Sequence, residues 1–251
     1  MDVLKFNLKG RTAFFKKPEV NTFFYFTYGN IHKIALLGIL GGILGLKGYN
    51  DQNEKDKYPE FYEKLKDIRI GIVPMNKEGY IPKKIQTFNN SVGYASKEQG
   101  GNLIVKEQWL EDPEWEIYIL LKGDIENQLK DNILDRNFKF IPYLGKNDHM
   151  ATIENIELIK DAKKIDNIKK IDSLYIKDYF SFRSSKYDFD EDDDEEDDME
   201  DTWKYQEMLP VSLEENTNIY DLKSFIYTNS LIESSSYESI YECNNKNIFF
   251  F

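Results

Sequence analysis

The chain has 251 residues, enough for one large domain or one domain with an extension. A single cysteine, Cys243, excludes an intramolecular disulfide and a zinc site built on cysteine pairs, and two histidines leave no histidine-rich metal site. The net charge of −12 is local: 12 of the 45 acidic residues lie in 188–201, leaving 33 against 33 basic ones, so a neutral body with a basic surface stays open to nucleic acid.

Residues 2–10 alternate, with Leu4, Phe6 and Leu8 on one side and Lys5, Asn7 and Lys9 on the other, as in a half-buried strand. Residues 11–31 read as a long aromatic loop carrying Arg11, Lys16 and Lys17. Asn30 is the expected cap of a helix over about 32–46. In that helix Gly38, Gly41, Gly42 and Gly45 fall at i, i+3, i+4 and i+7 and share a face opposite Leu36, Leu40 and Ile43. Packing on a sheet is the expected reason, ahead of ligand contact. The apolar run 34–46 has 13 residues, short of the about 20 that a membrane span needs. A cytoplasmic protein with no membrane partner is expected.

A short helix near 60–66 precedes a strand marked by Ile68, Ile70 and Ile72. Residues 74–94 and 103–110, parted by Gly100 and Gly101, read as the arms of a long hairpin. Residues 116–121 form a strong strand, and Asp124 is the expected cap of a helix with Ile125, Leu129 and Ile133 every four residues. Residues 138–141 read as a short strand, 142–145 as a turn and 151–160 as a further strand. This order predicts an α+β protein with a ferredoxin-like sheet and an inserted hairpin near 76–112. The expected organisation is a domain over 1–160 and an irregular, partly β extension over 161–251. The acidic tract 188–201 within it is expected to be disordered in the free protein, because its charges repel and it has little to bury.

Four segments together resemble the CRISPR-associated (Cas) protein family five, of the repeat-associated mysterious protein (RAMP) superfamily. They are LKFNLKGRTAFFKKP at 4–18, KIALLGILGGILGL at 33–46, EQWLEDPEWEIYI at 107–119 and PYLGKNDHMA at 142–151, with LPVSL at 209–213 as a weaker fifth. The general look is closest to the type I-B branch. The superfamily often has a glycine-rich loop near the C-terminus, whereas here no glycine follows Gly145.

The resemblance implies a subunit of a type I interference complex (Cascade) that caps the 5′ handle of CRISPR RNA. It implies a RAMP, RRM-like sheet whose hairpin is the family's thumb. The implied partners are CRISPR RNA, the backbone subunit and the large subunit, with target DNA met only indirectly. No cofactor or metal is expected. RNA capping needs cations for phosphates and flat or polar groups for splayed bases. The expected contacts in the first half of the chain are Lys9, Arg11, Phe14, Lys16, Lys17, His32 and Lys33. The hairpin would add Lys83, Lys84, Gln86, Asn89, Asn90, Tyr94, Lys106 and Gln108, and the turn after the second helix Lys146 and Asn147. A non-catalytic subunit is the expectation. The alternative is a metal-independent endoribonuclease like the family's type I-C branch, for which His32 and His149 are the candidate acid and base. A stand-alone single-strand RNA-binding protein is the third possibility.

Overall fold

The computed structural model describes residues 1–18, 24–182 and 202–251, so the acidic tract lies outside the described residues. The chain opens on β1 (Val3–Lys9), β2 (Thr12–Ala13) and β3 (Phe24–Tyr25). Helices α1 (Lys33–Leu44) and α2 (Glu60–Leu65) then lead to β4 (Ile70–Pro74). Strands β5 (Lys83–Asn89), β6 (Ile104–Glu111) and β7 (Glu114–Leu120) follow, then α3 (Asp124–Leu134) and β8 (Thr152–Ile159). Eight shorter or later strands complete the described chain. They are β9 (Lys163–Lys164), β10 (Tyr175–Ile176), β11 (Phe180–Phe182), β12 (Lys204–Leu213), β13 (Tyr220–Thr228), β14 (Ile232–Ser235), β15 (Ile240–Cys243) and β16 (Lys246–Phe249).

The central sheet has the order β4-β7-β1-β8, and every neighbouring pair is antiparallel. Successive side chains of β1 alternate across it. Leu4, Phe6 and Leu8 pack with Leu36, Leu40, Ile43, Leu129 and Ile133 from α1 and α3. On the other face Val3 joins Tyr118, Leu120, Ile248 and Phe250. Each fully buried side chain of this kind contributes roughly 1.5–3 kcal/mol. The polar residues of β1 are matched within the sheet: Lys5 lies 3.1 Å from Glu116 and Asn7 donates to Glu114 at 2.7 Å.

Local expectations fail where a distant group competes for the same atoms. His32, not Asn30, caps α1, its Nδ1 accepting from the Ala35 N–H. Asn30 is taken up by the core, accepting from Trp115 Nε1 at 2.9 Å and donating to the Gly79 carbonyl at 3.0 Å. Gly123 precedes α3 without a side-chain cap, and Asp124 is its first residue, where a negative charge suits the helix dipole. Residues 138–141 form no strand. They cross the end of α1, where the N–H groups of Lys139 and Phe140 donate to the carbonyls of Ile43 and Gly42 at 3.0 and 3.2 Å. A helix end leaves such carbonyls without partners, and this segment supplies them.

The described residues of the aromatic stretch, 11–18 and 24–31, include paired segments rather than loop alone. Its two arms pair through Lys17 N–H to Phe26 O and Tyr28 N–H to Phe15 O, each 2.9 Å, while β2 and β3 both lie on β6. β5 and β6 form an antiparallel hairpin in register from Lys83↔Leu110 to Asn89↔Ile104.

The described residues of 161–251 contain eight strands and no α-helix, and enter the same core. Leu209, Leu213, Phe225, Ile226, Phe249 and Phe251 cluster with Leu4 and Phe6. The β12–β13 hairpin packs on α1. Beyond β16, Phe251 exchanges backbone hydrogen bonds with Ile70, at 3.0 and 3.2 Å, beside β4. Among the described residues no helix is long and apolar enough to cross a membrane.

Candidate nucleic-acid interface

The glycines of α1 do not act as one packing face. Gly41 lies on Phe61 of α2, where an added Cβ would stand 2.6 Å from the Phe61 Cβ. Gly45 ends the helix at φ 78°, a left-handed conformation suited to glycine, and packs on Lys139. A Cβ added at Gly38 or Gly42 would meet nothing within 4 Å. Both glycines border a cleft of about 860 Å³.

Several separate parts of the chain supply the remaining lining. Phe14, Lys16 and Tyr25 come from the segment after β1. Phe140, Ile141 and Tyr143 bring an apolar rim, with Phe140 58% and Ile141 69% exposed. His32, Tyr49 and Tyr220 complete it on the helix side, and Lys146 on the turn before β8. Rings next to ammonium groups are what single-stranded nucleic acid uses for bases and phosphates.

The two lysines differ in freedom. Lys16 is exposed, its Nζ 4.0 Å from the centre of the Tyr25 ring. Lys146 is held by the buried Glu107 carboxylate at 2.8 and 3.1 Å, with its Nζ 5.3 Å from the Phe14 ring and 5.8 Å from that of Phe88. Trp109 Nε1 also donates to Glu107, at 2.8 Å. A buried carboxylate needs such partners, so the Lys146 charge is already compensated.

Several expected RNA contacts are tied up inside the protein. Lys9 pairs with Glu154 at 2.5 Å, Lys17 with Glu207 at 3.0 Å and Lys84 with Glu111 at 3.3 Å. Lys33 is buried and donates to the Phe251 carbonyl at 3.1 Å, and burial pulls its pKa down to about 8. Its side chain is buried in the fold and already bonded, which does not suit a phosphate contact. Phe14 is likewise buried, a wall of the cleft rather than a free stacking ring.

The hairpin register separates the remaining candidates. Lys83, Thr87 and Asn89 share one face with Lys106 and Gln108, while Lys84 and Gln86 share the other with Glu107 and Trp109. Asn89 accepts from the Ser91 N–H at 2.9 Å, and the Asn90 N–H donates to the Leu103 carbonyl at 2.8 Å, so both hold the hairpin end. Tyr94, near that end, is 79% exposed. Arg11 and Asn147 are exposed. The structure thus gathers Phe14, Lys16, His32 and Lys146 at the cleft and places the hairpin candidates apart from it.

Neither imidazole is placed to titrate freely near neutral pH. His149 is buried, its Nδ1 2.6 Å from Thr12 Oγ1 and its ring edge-on to Trp109 at 4.6 Å. Burial, and then the Lys146 charge, lower its pKa. His32 is 3% exposed, and burial lowers its pKa to about 3. Its unfolded pKa is near 6.5, so its contribution is complete above that pH and is lost as pH falls toward 3. Urea unfolding at several pH values should show wild-type stability falling faster than that of His32→Asn below pH 6.5, by up to about 1.4 kcal/mol per pH unit. Parallel profiles would contradict a buried neutral His32. Among the described residues no group of three or more His, Cys, Asp or Glu side chains is gathered as a metal site requires.

Tyr25, Tyr49, Phe140, Ile141, Gly38 and Gly42 escaped sequence reasoning as site residues. The available signal was the apolar pair Phe140-Ile141 set directly before a Pro-Tyr turn, which alternation alone turned into a strand.

No protein-family model matches the sequence, and no curated protein matches it. Solved structures do. The chain is similar to one in a CRISPR RNA-guided surveillance complex, with a TM-score of 0.54 and 9% identity over 92% of this chain and 91% of that one. A CRISPR protein from Archaeoglobus fulgidus aligns at a TM-score of 0.48 and 12% identity over 99% and 98% of the two chains. A chain of a type III-B Cmr-beta complex bound to cognate target RNA aligns at 0.46 and 11%, over 92% and 86%. The structural neighbours are CRISPR proteins, and the first of them shares this mixed fold of antiparallel sheets and few helices.

Proposed function

We propose that the chain is a non-catalytic, RNA-binding subunit of a CRISPR effector complex that caps the 5′ handle of CRISPR RNA, as in a type I-B-like Cascade. The observation that carries this is the cleft, which sets the open glycines of α1 among aromatic side chains and Lys16. The neighbour from an RNA-guided surveillance complex supports the setting. A ferredoxin-like reading of the central sheet is supported by its strand order, with α1 and α2 between β1 and β4 and α3 between β7 and β8. A thumb reading of the β5–β6 hairpin is supported by apolar side chains turned outward, Ile85 at 63% and Ile104 at 46% exposure, which a backbone subunit would cover. The large subunit is the second protein partner in this reading, and the compartment is the cytoplasm.

Repeat-derived RNA should bind the purified chain in EDTA and be recovered uncut. Lys16→Ala should reduce the log–log salt slope by roughly 0.7, one single-strand phosphate contact. Lys9→Ala, which removes a residue already paired to Glu154, should leave the slope unchanged. Specific cleavage in EDTA would defeat the non-catalytic reading, and an unchanged slope in Lys16→Ala would remove Lys16 from the interface.

A further inference from the structure

His32 carries a hydrogen-bond donor at the cleft that the fold leaves unused. Because the Ala35 N–H donates to Nδ1 at 3.3 Å, the neutral ring must hold its proton on Nε2. Nε2 has no hydrogen-bond partner among the described residues, and the side chain lines the cleft while nine-tenths and more buried. The ring is fixed by Phe15, Tyr28 and Tyr220, all edge-on, with centroids at 6.0, 5.0 and 5.5 Å. A side chain locked by its neighbours in this way is a rigid recognition group.

The rest of the cleft favours a flat, uncharged guest. Gly38 and Gly42 present bare backbone, and Phe140, Ile141 and Tyr49 are apolar or aromatic surfaces beside it. Lys146 is neutralised by Glu107, so Lys16 is the exposed cation of the lining. At about 860 Å³ the cleft falls within the roughly 300–1,000 Å³ typical of small-ligand sites.

We infer that the cleft takes one unstacked base of single-stranded RNA and that the Nε2–H of His32 donates to a ring-nitrogen or carbonyl acceptor on that base. The inference rests on the RNA-binding reading above and adds where a base is read and by which atom. Lys16 meets the adjoining phosphate. A donor that cannot turn away is left unpaired by a base without an acceptor in reach, and that penalty is the source of selectivity.

The test uses the full chain with short RNA homopolymers of A, C and U and with an abasic ribose–phosphate chain of equal length. The best homopolymer should bind the wild type about a hundredfold more tightly than the abasic chain, as base stacking and one hydrogen bond allow. His32→Asn keeps an acceptor for the Ala35 N–H, since Asn is a favoured helix cap, but its amide ends one atom short of the place of Nε2 and so withdraws the donor from the cleft. It should cut that margin roughly tenfold while abasic binding stays unchanged. Failure of the wild type to bind any of these chains would defeat the RNA-binding reading itself. RNA binding with an unchanged margin in His32→Asn, or equal binding of abasic and base-bearing chains, would overturn the base-recognition inference alone. A fall in abasic binding by the same factor would make His32 a purely structural residue and also overturn it.

Discussion

Gly38→Leu is expected to weaken RNA binding strongly in a protein that is more stable than the wild type. A glycine inside a helix costs about 1 kcal/mol against alanine, and leucine is nearly as good a helix former. Nothing stands within 4 Å of an added Cβ at Gly38, so the new side chain meets no clash and projects into the cleft. For a chain of this size, 1 kcal/mol raises Tm by about 2–4 °C. RNA affinity should fall more than about tenfold, because the branched side chain occupies the space a base would take. Gly41→Leu is the contrast: its Cβ would collide with Phe61, and overpacking of this kind costs typically 1–3 kcal/mol. Thermal melts and filter binding on the two variants give opposite signs in stability. RNA binding by Gly38→Leu at wild-type affinity would take the cleft out of the interface.

Trp115→Ala should cost about 3–5 kcal/mol, a large part of the 5–15 kcal/mol typical of a folded domain. Trp115 is fully buried beneath the helices, and its Nε1 hydrogen bond to Asn30 ties β7 to the segment leading into α1. Asn30→Ala should cost about 1–3 kcal/mol on its own, because it strands both the indole N–H and the Gly79 carbonyl. The double variant should lose less than the sum, since the two residues share one bond. Urea unfolding measures all three. If Asn30→Ala were neutral, this bond would not be holding α1 to the sheet.

Patterns that depend on near neighbours were legible in the sequence. The alternation of Leu4, Phe6 and Leu8 gave β1, the run through Ile117 and Ile119 gave β7, and Leu129 and Ile133 marked the buried side of α3. Choices settled across the chain were not. Asn30 is a good cap by local chemistry, yet Trp115, far along the sequence, claims its side chain. Residues 138–141 look like a strand until the carbonyls of α1 are counted. Basic residues announce charge but not the carboxylate that neutralises it, as with Lys9 and Glu154 or Lys146 and Glu107. Within 161–251 one clear signal went unread. Asn244 and Asn245 both adopt positive φ, 51° and 62°, and make the two-residue turn joining β15 to β16.

The seam between Ile70 and Phe251 bears on how this chain is made. Until residues 249–251 have emerged from the ribosome, the outer edge of β4 lacks its Phe251 partner at Ile70 and has only the Leu174 N–H on the Ile72 carbonyl, at 2.8 Å, while the aromatic side of the core lacks Phe249 and Phe251. β1 waits as well, since both of its neighbours, β7 and β8, are synthesised much later. Pairings so far apart in sequence make folding slow, and an uncovered strand edge invites pairing with another chain. Chains that lack the Phe249–Phe251 segment should therefore aggregate more readily than the full chain.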